Sequence, residues 1–74
     1  MHRMSKNEYR AALSILGLSQ RSAAKFLDIA ERTSRRYALD ECPVPILIAR
    51  FLRLVARNKL TPQDATALTD DPLP

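Results

Sequence analysis

The chain has 74 residues, one cysteine, one histidine, and 12 lysines and arginines against 8 acidic residues, for a formal charge of +4. This length is near the lower limit for a domain with one hydrophobic core, so it excludes a multidomain enzyme. A lone Cys42 forms no internal disulfide and His2 has no partner ligands, which favours a reduced, cytoplasmic protein without metal or other cofactor. No apolar run approaches the roughly 20 residues that span a bilayer.

The positive charge is concentrated in the first half of the sequence. Residues 1–39 hold eight basic and three acidic residues, whereas residues 40–74 hold four basic and five acidic ones. A basic half suits a polyanionic partner such as nucleic acid, although arginine-rich helices are also often only solvated. Charge alone leaves both interpretations open.

The first two helices are predicted from their end signals. Ser5 and Glu8 have the spacing of a capping box, and apolar residues follow at helical spacing up to Gly17, which we expect to close the helix in the left-handed conformation. Ser19 is a good N-cap for a second helix at residues 20–27 with an alanine-rich inner face. His2 and Met4 are expected to belong to a loose amino terminus.

A third helix is predicted at residues 31–38, after a tight break at residues 28–30. Its register turns Ser34, Tyr37 and Ala38 inward. The same register turns three arginines outward, namely Arg32, Arg35 and Arg36.

The fourth helix has the clearest periodicity in the sequence, with Pro45 in its first turn. Its apolar residues keep to one face: Val44, Leu47, Ile48, Phe51, Leu52 and Val55. The arginines of the opposite, solvent side are Arg50, Arg53 and Arg57, with Ile46 beside them and Leu54 near the border.

A last helix is predicted from the capped start Thr61-Pro62 through about Leu68, followed by a frayed tail at residues 70–74. The sequence therefore predicts an all-α, compact bundle of four to five short helices within a single domain at residues 1–69.

Residues 18–37 read LSQRSAAKFLDIAERTSRRY, and residues 43–45 read PVP. This stretch resembles the lambda-repressor-like, Cro-type (XRE family) helix-turn-helix regulators of bacteria and phages. The resemblance covers about residues 9–57, with the helix-turn-helix core at 19–38. It implies a sequence-specific, double-stranded DNA-binding transcriptional regulator, a repressor and possible autorepressor that reads a palindromic operator as a homodimer in the cytoplasm, at the nucleoid.

The resemblance also assigns roles to individual residues. Glu31, Arg32 and Arg36 are expected to contact bases, because arginine can bridge O6 and N7 of guanine and glutamate can accept from cytosine N4. Gln20 is expected to clamp a phosphate and to brace the recognition helix. The full set expected at the DNA backbone is Ser19, Gln20, Arg21, Ser22, Thr33 and Arg35.

Two residues depart from the family pattern. Asp28 stands where glycine is usual in the turn, and aspartate tolerates the left-handed conformation at a cost of about 1 kcal/mol. Ser34 stands where a buried valine or isoleucine is usual. We expect its hydroxyl to bond back to a carbonyl of the preceding turn.

Other functions stay open at this stage. A small helical bundle can be a protein-interaction module, such as an antitoxin or adaptor, with Ile15, Ile46 and Leu54 as its docking surface. The basic face can also suit RNA. An enzyme is the least supported class, because the sequence has no nucleophile with a base and no phosphate-binding loop.

The homodimer is expected to associate through the fourth helix, the fifth helix or the amino-terminal segment, and no small-molecule ligand is evident.

Overall fold

A computed structural model describes residues 3–73, so the predictions made for His2 and Pro74 concern residues outside that range. The described chain folds into five α-helices and contains no strand: α1 Lys6–Ile15, α2 Gln20–Leu27, α3 Glu31–Ala38, α4 Ile46–Arg57 and α5 Pro62–Asp70. The all-α prediction is confirmed, and α2 and α3 have the predicted bounds. The last helix ends at Asp70, two residues later than expected. Within residues 3–73, no helix has the length and apolar character needed to cross a membrane.

Side-chain caps start three of the helices. In each, a hydroxyl accepts a hydrogen bond of 3.0 or 3.1 Å from the backbone N–H three residues later, and the capping residues are Ser5, Ser19 and Thr61. At α2 and α5 the box is reciprocal, because Ser22 and Asp64 accept in turn from the cap's own N–H. Such caps satisfy amides that have no acceptor inside the helix.

An ion pair joins α4 to α1. Arg53 donates through Nε and Nη2 to the two carboxylate oxygens of Glu8, at 2.7 and 2.9 Å, which is the strong, forked form of this interaction. Arg53 was expected on the solvent side, but its side chain is only 18% exposed. One hydrogen bond of the predicted capping box is present, from the N–H of Glu8 to the hydroxyl of Ser5. The Glu8 carboxylate, which would make the second, pairs with Arg53 of α4 instead.

The hydrophobic core forms between α1, α3 and α4. Tyr9 of α1 and Leu52 of α4 are fully buried, and Tyr37 of α3 meets the Tyr9 ring edge-on at 5.6 Å between centroids. Met4 was expected in a loose terminus, but it is 3% exposed and belongs to this core. Its long apolar side chain fills space beside the helices rather than extending into water.

The inward face of α4 differs from the predicted one at the first turn. Leu47 is 72% exposed, while Ala49, which the prediction omitted, is buried. The reason is that α4 begins only at Ile46, after an extended Pro45, so Val44 is buried from the connector and not from the helix. The prediction counted Val44 as the first apolar residue of the helix. This count gave the wrong helical phase for the first turn and turned Leu47 inward.

Ser34 is the one polar residue that is buried among residues 3–73, and its partner differs from the predicted one. Its hydroxyl lies 2.7 Å from the hydroxyl of Tyr9, so the prediction of a bond to a preceding carbonyl was wrong. Burial raises the pKa of the Tyr9 phenol above its usual value of about 10, against a smaller opposing effect of the Ser34 hydrogen bond. The phenol therefore stays neutral at physiological pH, where it can donate or accept.

The break between α2 and α3 is a left-handed turn at Asp28, with φ 55° and ψ 46°. The N–H of Ile29 donates to the carbonyl of Ala24 at 2.9 Å and the N–H of Asp28 to that of Lys25 at 3.3 Å, which satisfies the end of α2. The prediction that Asp28 tolerates the left-handed conformation in this turn is confirmed.

Asp28→Gly is expected to raise the free energy of unfolding by about 0.5–1 kcal/mol, because glycine has no Cβ strain at positive φ. It also removes a negative charge from the carboxyl end of α2. Urea denaturation followed by circular dichroism measures the change. Asp28→Ala is the matched control, since it removes the carboxylate but keeps the Cβ. A glycine variant no more stable than the alanine variant would contradict the strain argument.

Candidate nucleic-acid interface

The close packing of α2 against α3 positions the candidate site. Among the described helices these two make the most extensive contact, and the buried residues of α2 are the small Ala23 and Ala24. Small side chains let two helices approach closely. Phe26, on another side of α2, packs against Phe51 of α4 with ring centroids 5.5 Å apart. The pair α2 and α3 is thus attached to the core with the outer side of α3 left open.

Three arginines of α3 surround one open depression. Arg32, Arg35 and Arg36 line a cavity of about 470 Å³, together with Glu41 and Cys42. Arg32 and Arg35 are exposed, and Arg36 is half-buried. The predicted outward orientation of the three arginines is confirmed, and the predicted inward residues of α3 are buried as expected.

Glu41 is a residue of this depression that the sequence did not identify. A left-handed Asp40, with φ 62°, turns the chain after α3, and the N–H of Glu41 then donates to the carbonyl of Arg36 at 2.9 Å. The connector thereby folds back beside the last turn of α3 and brings one carboxylate to the edge of the arginine group. The only available sequence signal was an acid five residues after Arg36, which by itself predicts no such return.

Glu31 links the starts of α2 and α3. Its carboxylate lies 3.6 Å from Nη2 of Arg35, one turn later, and 4.0 Å from Nε of Arg21 on α2. All three side chains are at least half exposed, so each pair contributes only about 0–1 kcal/mol. The bracing between the helices was predicted for Gln20. Within residues 3–73, however, the Gln20 side chain makes no hydrogen bond to α3, and Arg21 with Glu31 forms the link instead.

Two backbone N–H groups at the amino end of α2 already donate to serine hydroxyls. Ser19 and Ser22 bond to each other's backbone N–H at 3.0 and 2.8 Å, and their hydroxyls lie 2.9 Å apart. The amide of Ser22 is therefore already satisfied. The amides of Gln20 and Arg21 are the first two of the helix and have no intrahelical acceptor. They are the N–H groups of this helix end that can meet an anion.

The predicted site residues thus fall into two adjoining groups. One is the amino end of α2, where Gln20 is half-buried and Arg21 exposed; the other is the outer side of α3, where Thr33 is half-buried beside the arginines. The exposed ion pairs of Glu31 connect the two groups. Among residues 3–73, no group of three or more histidine, cysteine or acidic side chains could hold a metal ion.

No protein-family model, no curated protein and no solved structure matches this chain. What the interface binds must therefore be inferred from its own residues.

Proposed function

We propose that this chain is a sequence-specific, double-stranded DNA-binding transcriptional regulator in which α2 and α3 act as a helix-turn-helix. The observation that carries the proposal is the grouping of Arg32, Arg35 and Arg36 around one open depression, on a helix whose other side is packed against α2. Solvation of α3 alone does not explain why three arginines line one depression. Nor does it explain why they lie beside a helix end whose first amides have no intrahelical acceptor. A repressor function follows if the bound operator overlaps a promoter, and the regulator then works in the cytoplasm, at the nucleoid.

In this proposal α3 is the element that enters the major groove. A helix of eight residues is about 12 Å long and fits the groove, which is about 12 Å wide. Arg32 and Arg36 are four residues apart and therefore lie on the same side of α3. Both can reach base edges together, where arginine recognises guanine through O6 and N7.

Phosphate contacts come from the residues around Glu31. Phosphate groups compete with this carboxylate for Arg21 and Arg35, whose present ion pairs are exposed and weak. The Gln20 and Arg21 amides lie at the positive end of the α2 dipole and add neutral donors to the same backbone. Glu31, released from its arginines, is then free to accept from cytosine N4.

One such unit contacts only a few base pairs, so useful specificity requires two copies. A two-fold dimer reads a palindrome whose half-sites lie about 34 Å apart, one turn of the duplex. This arrangement is the reason for the proposed palindromic operator.

Selection from a randomised duplex library, followed by fluorescence anisotropy, tests the proposed function. We expect an enriched palindrome that the chain binds roughly 10³-fold more tightly than a scrambled duplex, with affinity falling steeply as salt rises. A hairpin RNA serves as competitor. Displacement of the selected duplex by this RNA at equal concentration, or the absence of any enriched motif, would contradict a duplex-DNA reader.

A further inference from the structure

The outer side of α4 carries a stripe in which leucine and arginine alternate. Leu47, Arg50, Leu54 and Arg57 follow one another at i, i+3, i+7 and i+10, which places them on one side of the helix. All four are exposed, and the two leucines are 72% and 59% exposed. The opposite side of α4 enters the core. We call these four residues the leucine–arginine stripe.

The carboxy-terminal residues are acidic and apolar, which complements the basic and apolar side chains of the stripe. Residues 60–74 contain three aspartates and no lysine or arginine. Within the described part of this region, α5 buries only Ala65, while Leu68 and Leu73 are 70% and 92% exposed. Asp70 and Asp71 lie between these two leucines. We call residues 68–73 the acidic terminal segment.

The charge distribution decides which surface can cover the stripe. Residues 46–59 contain no acidic residue, and Arg57 and Lys59 are exposed at the end of α4, so pairing of α4 with α4 of another copy would add positive charge without any carboxylate to meet it. The acidic terminal segment offers apolar side chains between carboxylates. In its own chain this segment does not cover the leucines of the stripe, since Leu47 and Leu54 remain exposed. A second copy can supply the same segment from outside.

We propose that two copies of this chain form a closed dimer in which the leucine–arginine stripe of each receives the acidic terminal segment of the other. Two-fold symmetry makes this contact twice. An ordinary interface covers about 800 Å² of each partner, roughly a seventh of the 5408 Å² surface of this chain, and two reciprocal patches can provide it. The dimer supplies the second copy that a palindrome needs, but its test uses no DNA, so it can fail separately from the proposed function.

Sedimentation equilibrium of the full chain with charge-reversed variants tests the dimer. Arg57→Glu places acids on both patches, and the double variant Asp70→Lys/Asp71→Lys places bases on both. We expect each to dimerise at least about tenfold more weakly than the native chain, since like charges then meet at both contacts and reduce the attraction. An equimolar mixture should form a one-to-one heterodimer with affinity near the native value, because each acidic patch then meets a basic one.

Arg10→Glu is the matched control, because it reverses an exposed arginine of α1 outside both patches. It should dimerise like the native chain. Unchanged thermal unfolding of all variants, at a concentration low enough that each is monomeric, would show that the substitutions act on association and not on folding. A native chain that stays monomeric up to about 1 mM would overturn the proposal. A lysine double variant that dimerises like the native chain would also overturn it, since the acidic segment would then lie outside the interface.

Discussion

Tyr9→Phe is expected to lower the free energy of unfolding by about 1–3 kcal/mol, although it removes a single oxygen atom. That oxygen is the partner of the Ser34 hydroxyl at 2.7 Å. Ser34 is fully buried, and its side chain has no other hydrogen bond among residues 3–73. Without Tyr9 as partner, the serine hydroxyl stays in the core with its desolvation uncompensated. Urea denaturation of the purified variant measures the loss.

A double-mutant cycle separates this hydrogen bond from packing. Ser34→Ala alone should also destabilise the chain, because it leaves the Tyr9 hydroxyl without its buried partner. The combination of Tyr9→Phe with Ser34→Ala removes both polar groups, so it should lose less than the sum of the two single changes. We expect a coupling of about 0.5–3 kcal/mol.

Tyr37→Phe is the control for this cycle. Tyr37 belongs to the same core, but within residues 3–73 its hydroxyl makes no hydrogen bond and is not among the fully buried polar atoms. Its removal should change the free energy of unfolding by less than about 0.5 kcal/mol. Additive losses in the cycle, or an equal loss from Tyr37→Phe, would contradict the assigned role of the Tyr9–Ser34 pair.

The bounds of α2 and α3 could be predicted because their signals are local. Ser19 caps α2 through an atom three residues away, and Asp28 ends it by its own backbone conformation. The inward positions of α3 follow from helical spacing alone, which is why the buried Ser34 and the outward arginines were predicted together. Local chemistry of this kind needs no knowledge of the other helices.

Contacts between distant residues could not be predicted in the same way. The Tyr9–Ser34 bond joins residues 25 positions apart, and the Glu8–Arg53 pair joins residues 45 positions apart. Periodicity shows which side of a helix turns inward, but it does not show which side chain of another helix lies opposite. Leu47 was assigned to the core for a related reason, since the start of α4 depends on the extended Pro45 before it.

In the candidate site, too, the features of a single helix could be predicted, whereas the contacts between elements could not. The outward register of the α3 arginines is a property of one helix and was predicted correctly. The contacts of Glu31 with Arg21, and the return of Glu41 to the arginine group, depend on how α2 and the connector fold against α3. The roles in DNA binding assigned to these residues stay predictions.

Arg32→Ala is expected to weaken binding to the selected operator by about 1–3 kcal/mol and to relax the preference at one base position. Arg32 is exposed at the first turn of α3 and lines the open depression. Unlike Arg35, it forms no ion pair among residues 3–73, so its guanidinium can reach a base without breaking a contact. Anisotropy on the operator and on its single-position variants measures both the affinity and the specificity.

Two further variants distinguish base contacts from phosphate contacts. Gln20→Ala removes the side chain that is expected to clamp a phosphate but keeps the backbone N–H, so it should weaken binding to all duplexes evenly. Arg10→Ala removes an exposed arginine of α1 and controls for the loss of one positive charge. If Arg32→Ala weakened every duplex no more than Arg10→Ala does, its effect would be charge alone and Arg32 would leave the set of base contacts. A loss confined to one base position for Arg32, beside an even loss for Gln20, would show that α3 reads bases while α2 holds the backbone.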